Sequence, residues 1–266
     1  MASYYESTNK TPTRQIYRLS FPNKPLLDYT VRVIQIPTLS RIRLKQMNVV
    51  ETEFNNLAAE YENNRLSGWY KAHAEEIIER CPDFEEGDIL DVGCGTGYFL
   101  RAYLKDRPRI RAVGIDTSSA MIAVAKRNAR LEGLSRIEFI HADWEKLNPD
   151  IFKPYAFKAI FCANVFHYFK EPQTATDRLF KQLAENGTLY VLERNKARSL
   201  LTFMWGFLHA VLIKDQVIFY KTSELVDFLE KAGFKQVDIL SSIKKYFWKN
   251  KLFTSIVLLE GKKDDQ

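Results

Sequence analysis

From Asp88 onward the chain alternates between short runs of aliphatic and β-branched residues and longer stretches whose apolar positions recur every three or four residues. The first kind reads as buried strands, the second as amphipathic helices. Strands are expected at Ile89–Val92, Arg111–Ile115, Ile137–Ile140, Ala159–Cys162 and Thr188–Glu193, with helices at Tyr98–Lys105, Ser118–Leu131 and Gln173–Ala184 between them. Strands that alternate with helices pair in parallel through crossovers. The pattern therefore predicts an α/β fold, a doubly wound sheet covered on both faces, with ligands at the carboxyl ends of its strands.

Past Asn195 the pattern changes. A strongly apolar helix is expected at Arg198–Ile213, then a helix at Ser223–Ala232 closed by Gly233, then strands at Gln236–Leu240 and Phe253–Glu260. The intervening loop, which includes Lys244-Lys245-Tyr246-Phe247-Trp248-Lys249, suits an antiparallel pair, so the sheet is mostly parallel and seven-stranded with a C-terminal antiparallel edge. Ahead of the sheet lies an N-terminal extension. Its residues 11–30 are rich in turn formers, and Val31–Ile36 suits a short strand ended by Pro37. Leu39 to about Asn64 favours one or two helices, with Phe54, Leu57, Ala58 and Tyr61 at helical spacing. Gly68 breaks that run, and a further helix extends to about Arg80, stopped by Pro82.

At 266 residues, 46% hydrophobic and 27% charged, the chain falls in the globular class and can bury one sizeable core. Its net charge of +6 is unevenly placed. Eight of the 39 Lys and Arg but only Glu6 and Asp28 of the 33 acids lie in residues 1–46, so the remainder is neutral. A basic arm or lid is expected over 1–50 and a ligand-binding domain over 51–266. The arm suits nucleic acid or an anionic membrane face, and equally a solvated cover. Cys81, Cys94 and Cys162 are odd in number and scattered, which fits neither a disulfide framework nor a zinc cluster, and no metal is implied. Met1–Lys10 lacks the order of a secretory signal, and Pro12, Pro22 and Pro25 interrupt an amphipathic targeting helix, so a cytoplasmic location is expected.

Asp91-Val92-Gly93-Cys94-Gly95-Thr96-Gly97 follows the first strand of the sheet and opens a helix, so its glycines permit a tight turn and close approach of backbone to ligand. Asp116 ends the next strand, nineteen residues after Gly97, where a carboxylate can accept both ribose hydroxyls. A dinucleotide fingerprint needs glycine where Tyr98 stands, and it would set Asp91 beside a pyrophosphate. A ligand bearing an ammonium and a sulfonium instead complements that carboxylate. Asp116 and Asp143 taken singly also read as helix caps. Three acids at three successive strand ends around one glycine loop point to binding.

Ile89-Leu90-Asp91-Val92-Gly93-Cys94-Gly95-Thr96-Gly97 resembles the first motif of the class I S-adenosylmethionine-dependent methyltransferases. Gly114-Ile115-Asp116-Thr117-Ser118-Ser119-Ala120-Met121 resembles their second motif, and Phe139-Ile140-His141-Ala142-Asp143-Trp144 their third. The resemblance spans roughly residues 54–261. It implies a Rossmann-like methyltransferase fold with S-adenosylmethionine as cofactor. It also implies that Asp91 and the backbone of Gly93, Cys94, Gly95 and Gly97 hold the methionine part, that Asp116 holds the ribose with Thr117 beside it, and that Met121 packs on the adenine. Asp143 would then accept from the adenine amino group, Trp144 would offer a backbone donor and an aromatic surface beside the base, and Asn164 would line the pocket near the methyl group.

Methyl transfer from a sulfonium is an in-line displacement with a neutral leaving group, so alignment and exclusion of water dominate. An acceptor that must lose a proton gains from a positioned base. Ala163-Asn164-Val165-Phe166-His167-Tyr168 places His167 just past the fourth strand of the sheet. There it matches a histidine common in small-molecule members of the resembled family, as general base or as structural part, while Tyr168 either orients a substrate or packs. The apolar run Ser199–Ile213 is too short to span a membrane comfortably, and it falls where that family inserts elements over the substrate. Tyr61, Phe203, Trp205, Phe207 and His209 are accordingly candidate substrate contacts. Core packing, a dimer face or shallow membrane contact are the alternatives for the run, and His209 on its apolar face also reads as a core residue. His141 is expected to pack and His73 to lie remote. The expected function is methylation of a small apolar or aromatic metabolite by a monomer or homodimer. Methylation of RNA or protein is one alternative, although the Asn/Asp-Pro-Pro-aromatic motif of base-amine methylation is absent at Asn164. A catalytically silent binding partner with the same fold is another.

Overall fold

The computed structural model describes residues 16–18, 28–30, 51–63, 67–195, 220–243 and 256–264. The chain divides into two compact units, 1–44 and 45–266. In the first, β1 (Ile16–Arg18) and β2 (Asp28–Thr30) pair antiparallel, with Tyr17 opposite Tyr29, where the sequence suggested only turn formers. The strand expected at Val31–Ile36 and the apolar helix expected at Arg198–Ile213 lie outside the described residues.

The second unit begins with helical residues 51–57 (α1) and turns over 58–63. It continues through α2 (Ser67–Arg80), β3 (Glu86–Val92), α3 (Tyr98–Leu104), β4 (Arg109–Asp116), α4 (Ser119–Leu131), β5 (Ile137–His141), β6 (Phe157–Ala163), α5 (Pro172–Gln182), β7 (Leu183–Arg194), α6 (Thr222–Ala232), β8 (Gln236–Ile243) and β9 (Ile256–Lys262). The sheet runs β5-β4-β3-β6-β7-β9-β8. Strands β3 to β7 are parallel, and β9 is antiparallel to both of its neighbours. Two N-terminal expectations shift. The helix carrying Phe54 gives way to turns after residue 57, and Gly68 falls inside the first turn of α2. A glycine costs a helix interior about 1 kcal/mol, which the docking of Ala74 and Ile77 on the core outweighs.

The central strands are continuously apolar because helices cover both faces. Ile89, Phe161 and Leu192 point into one core with α2, α3 and α4, while their neighbours Leu90, Ile160 and Val191 point into the other with α5 and α6. Each such apolar side chain contributes about 1.5–3 kcal/mol on burial. Strand order reverses at β3, whose neighbours are β4 on one side and β6 on the other, and the reversal opens a crevice at their carboxyl ends.

Candidate cofactor and active site

Leaving β3, the chain turns across the end of β4. The Gly93 and Cys94 amides both donate to Ile115 O, at 2.7 and 2.9 Å, and the Gly97 amide then donates to Cys94 O at 2.9 Å to start α3. Gly93 lies at φ +77°, and a Cβ there would stand 2.0 Å from Val165 Cγ2, so the loop rests directly on the exit of β6. A side chain at Gly95 would instead enter open space. Its amide donates to Asp116 Oδ2 at 2.8 Å, and the Ser118 amide donates to Oδ1 at 2.8 Å. A carboxylate has about four acceptor sites, so Asp116 keeps capacity for two hydroxyls. Burial pushes its carboxyl up, and the two amide bonds and nearby His141 oppose that. His141 itself lies 2.9 Å from Thr117 O through Nε2.

Asp91 is buried, only 3% exposed. Burial, reinforced by the charge of Asp116, pushes its carboxyl up to about 8. Thr96 Oγ1 and Asn164 Oδ1 are buried without a partner among the described residues. A buried carboxyl and partnerless oxygens beside an open glycine fit a ligand that brings a cation and hydroxyls, as S-adenosylmethionine does, and disfavour a pyrophosphate. Cys94 Sγ tucks beneath this loop, 3.8 Å from Gly95 O.

Beyond β5, Asp143 Oδ1 accepts from the Glu145 amide at 3.0 Å and Oδ2 from Lys146 Nζ at 2.5 Å. Trp144 is buried: its indole donates to Ala175 O at 3.3 Å and its ring packs near Phe152 at a centroid separation of 6.1 Å. That ring belongs to the core, which leaves the Trp144 backbone at the strand end. Met121 is buried in the first turn of α4, where its amide donates to the capping hydroxyl of Ser118 at 3.1 Å. Ser118 Oγ in turn donates to Asn55 Oδ1 at 2.7 Å, which also accepts from the Ala120 amide at 3.1 Å. These bonds fix the segment 51–63 against the start of α4.

Asn164 directly follows β6 at φ +56°, with its side-chain Nδ2 2.9 Å from His73 Nδ1. His73 therefore reaches the site rather than lying remote, because it shares the buried face of α2 with Ala74 and Ile77. Burial, helped by the charge of Arg194, lowers it to about 3 and keeps it neutral. His167 follows, its Nδ1 2.8 Å from Oε1 of the fully buried Glu193, whose Oε2 lies 3.4 Å from the His167 amide. Tyr168 packs on His167 at 4.1 Å and stands edge-on to Phe54 at 6.1 Å. Tyr61 stacks on Tyr70 at 4.4 Å. Burial pushes the Tyr61 phenol up, with Tyr70 and, less, Asp116 and Tyr168 adding to the effect. Phe203, Trp205, Phe207 and His209 lie outside the described residues.

Sequence reasoning missed Glu193, His73, Asn55 and Tyr70. Glu193 carried a signal, since a carboxylate directly following the apolar run Leu189–Leu192 in a central strand requires a partner. His73 carried one too, at the spacing of Ala74 and Ile77. Asn55 and Tyr70 carried none.

The chain matches the methyltransferase domain family over residues 83–233, more than half its length, and belongs to that family. Its motifs and fold are those of the class I S-adenosylmethionine-dependent branch. It is 38% identical over 71 residues to release factor glutamine methyltransferase of Caulobacter vibrioides, a match covering 26% of this chain and 25% of that one. It is 34% identical over 148 residues to demethylmenaquinone methyltransferase of Thermus thermophilus, covering 53% and 63%. The chain thus spans less than two thirds of the length of either relative. Among solved structures, phosphoethanolamine N-methyltransferase 2 of Haemonchus contortus, in complex with phosphomonomethylethanolamine and S-adenosylhomocysteine, is similar with a TM-score of 0.65 at 15% identity. That likeness covers 84% of this chain and 59% of that one, and it shows the fold. Among the described residues no group of three His, Cys, Asp or Glu is placed to hold a metal, and no helix is long and apolar enough to cross a membrane.

Proposed function

We propose that this chain transfers a methyl group from S-adenosylmethionine to a small apolar or aromatic acceptor that gives up a proton, with His167 as the base. The observation that carries the reading is the pairing of His167 Nδ1 with the buried Glu193 carboxylate at 2.8 Å. Bound S-adenosylmethionine supplies an electrophilic methyl on a sulfonium. Asp91 would face its cationic part, Asp116 would take the ribose hydroxyls, and the Gly93–Gly97 backbone would allow the close approach. With the Glu193 carboxyl oxygen as acceptor, Nδ1 carries the imidazole proton and Nε2 is the basic atom. Withdrawing a proton from a hydroxyl or an acidic carbon raises its nucleophilicity as the methyl approaches. Phe54, Tyr61, Tyr70 and Tyr168 supply an aromatic wall that packs on an apolar acceptor and excludes water.

The relatives support methyl transfer in general and differ in acceptor: the name of one specifies a quinone, that of another a protein glutamine. Incubating the protein with methyl-labelled cofactor and a cell extract, then separating small-molecule, RNA and protein fractions, distinguishes these. Label is expected in the small-molecule fraction. Label confined to RNA or protein overturns the acceptor class. Cofactor binding with no transfer to any fraction makes the chain a silent partner.

A further inference from the structure

The amide of Asn164 has two ends of nearly equal shape and opposite chemistry, and one end is already committed. Its Nδ2 lies 2.9 Å from His73 Nδ1, while its Oδ1 is buried with no partner among the described residues. We infer that His73 is a positioning residue: it holds the Asn164 amide so that Oδ1, and not Nδ2, faces the cleft that takes the positively charged half of S-adenosylmethionine. The inference rests on the cofactor site proposed above.

Three observations support it. An amide nitrogen only donates, so the ring nitrogen facing it must accept, and the proton of a neutral His73 then sits on Nε2. Burial keeps the ring neutral, and a protonated ring would offer Nδ2 no acceptor. Asn164 also holds φ +56°, a conformation that costs a side-chain-bearing residue energy and that asparagine tolerates better than most. Finally, Asn164 precedes Val165, whose side chain rests on Gly93, so the residue stands at the loop that follows Asp91. On this reading Oδ1 joins the Asp91 carboxyl and the Thr96 hydroxyl, which can also accept, as the oxygen atoms offered to the cation. Turning the amide over would place two N–H groups, with their positive ends outward, where a cation belongs.

The test uses the full chain and calorimetric titration with S-adenosylmethionine. His73→Leu removes the acceptor, His73→Asn returns an acceptor close to the place of Nδ1, and His73→Gln offers one nearer the place of Nε2. The affinity of His73→Leu is expected to fall about tenfold, that of His73→Asn to return to within about threefold, and that of His73→Gln to stay low. In an Asn164→Ala background the His73→Leu loss should vanish, because nothing is left to orient. Losses that simply add, or equal affinities for His73→Asn and His73→Gln, overturn the inference; the second comparison stands even where His73→Leu does not fold. Nitrogen chemical shifts of the imidazole give a reading independent of cofactor, and a protonated Nδ1 also overturns it. Asp116→Ala separates the two levels: if that variant binds cofactor normally, the site itself is misassigned, whereas if it fails to bind and the His73 and Asn164 losses add, only the positioning role falls.

Discussion

The Gly95 amide donates to Asp116 Oδ2 at 2.8 Å, so the loop after β3 and the carboxylate at the end of β4 hold one another in place. On the proposed reading, one residue shapes the turn and also offers its remaining acceptor sites to the ribose. Asp116→Ala removes both contributions. Cofactor affinity should fall by about 1.5–3 kcal/mol, on the order of ten- to a hundredfold. Calorimetric titration measures it, and an unchanged affinity contradicts the ribose role.

Asp91 couples binding to pH. Unfolded, its carboxyl ionises near its ordinary value of 3.8, whereas in the fold it is raised to about 8. The folded state therefore holds this proton more tightly, so Asp91 lowers stability progressively as pH rises from about 4 to about 8. Asp91→Asn should raise the Tm of the cofactor-free protein, more at pH 8 than at pH 5, while weakening cofactor binding. A cation settling beside Asp91 at pH 7 should also displace a proton, which calorimetry in buffers of different ionisation enthalpy detects. A Tm gain independent of pH contradicts this account.

His167 and Glu193 should act as a unit. His167→Ala is expected to lower turnover at least about tenfold with cofactor affinity unchanged. Glu193→Gln keeps an acceptor of similar shape but loses the charge that holds the Nδ1–H, and should produce most of the same loss. Combining the two should cost little more than either alone. Full activity of His167→Ala reduces this pair to a structural tie between β6 and β7.

Gly93→Ala sets a Cβ 2.0 Å from Val165 Cγ2 at φ +77°. Backbone strain and overpacking together should cost about 1–3 kcal/mol or more. Val165→Ala in the same chain removes the clash and leaves the strain, so it should recover part of the lost Tm. Recovery of none of it would show that the contact is unimportant.

The sheet was legible because its central strands are buried on both faces and read as unbroken apolar runs, and because helices of ordinary amphipathic spacing separate them. The strand-end acids were legible for the same reason, since strands drawn in the right places put Asp91, Asp116 and Asp143 on one edge. Local spacing said nothing about which way a side chain turns once packed. Trp144 sits at a strand end yet sends its indole to Ala175, and Tyr61 keeps helical spacing with Phe54 although the helix has ended. The pairing of His73 with Asn164 joins residues 91 positions apart, which no local pattern records.

Cys81, Cys94 and Cys162 are all buried, and burial holds each thiol well above its ordinary pKa. A thiolate is the form that reacts, so a probe in solution meets these sulfurs only when the structure around them opens. They sit in three places: just past the end of α2, in the glycine loop and, fully buried, in the central strand β6. The protein therefore carries its own clocks. The labelling rate at Cys94 times the breathing of the glycine loop and the rate at Cys162 times the parting of the strands, without any foreign reporter.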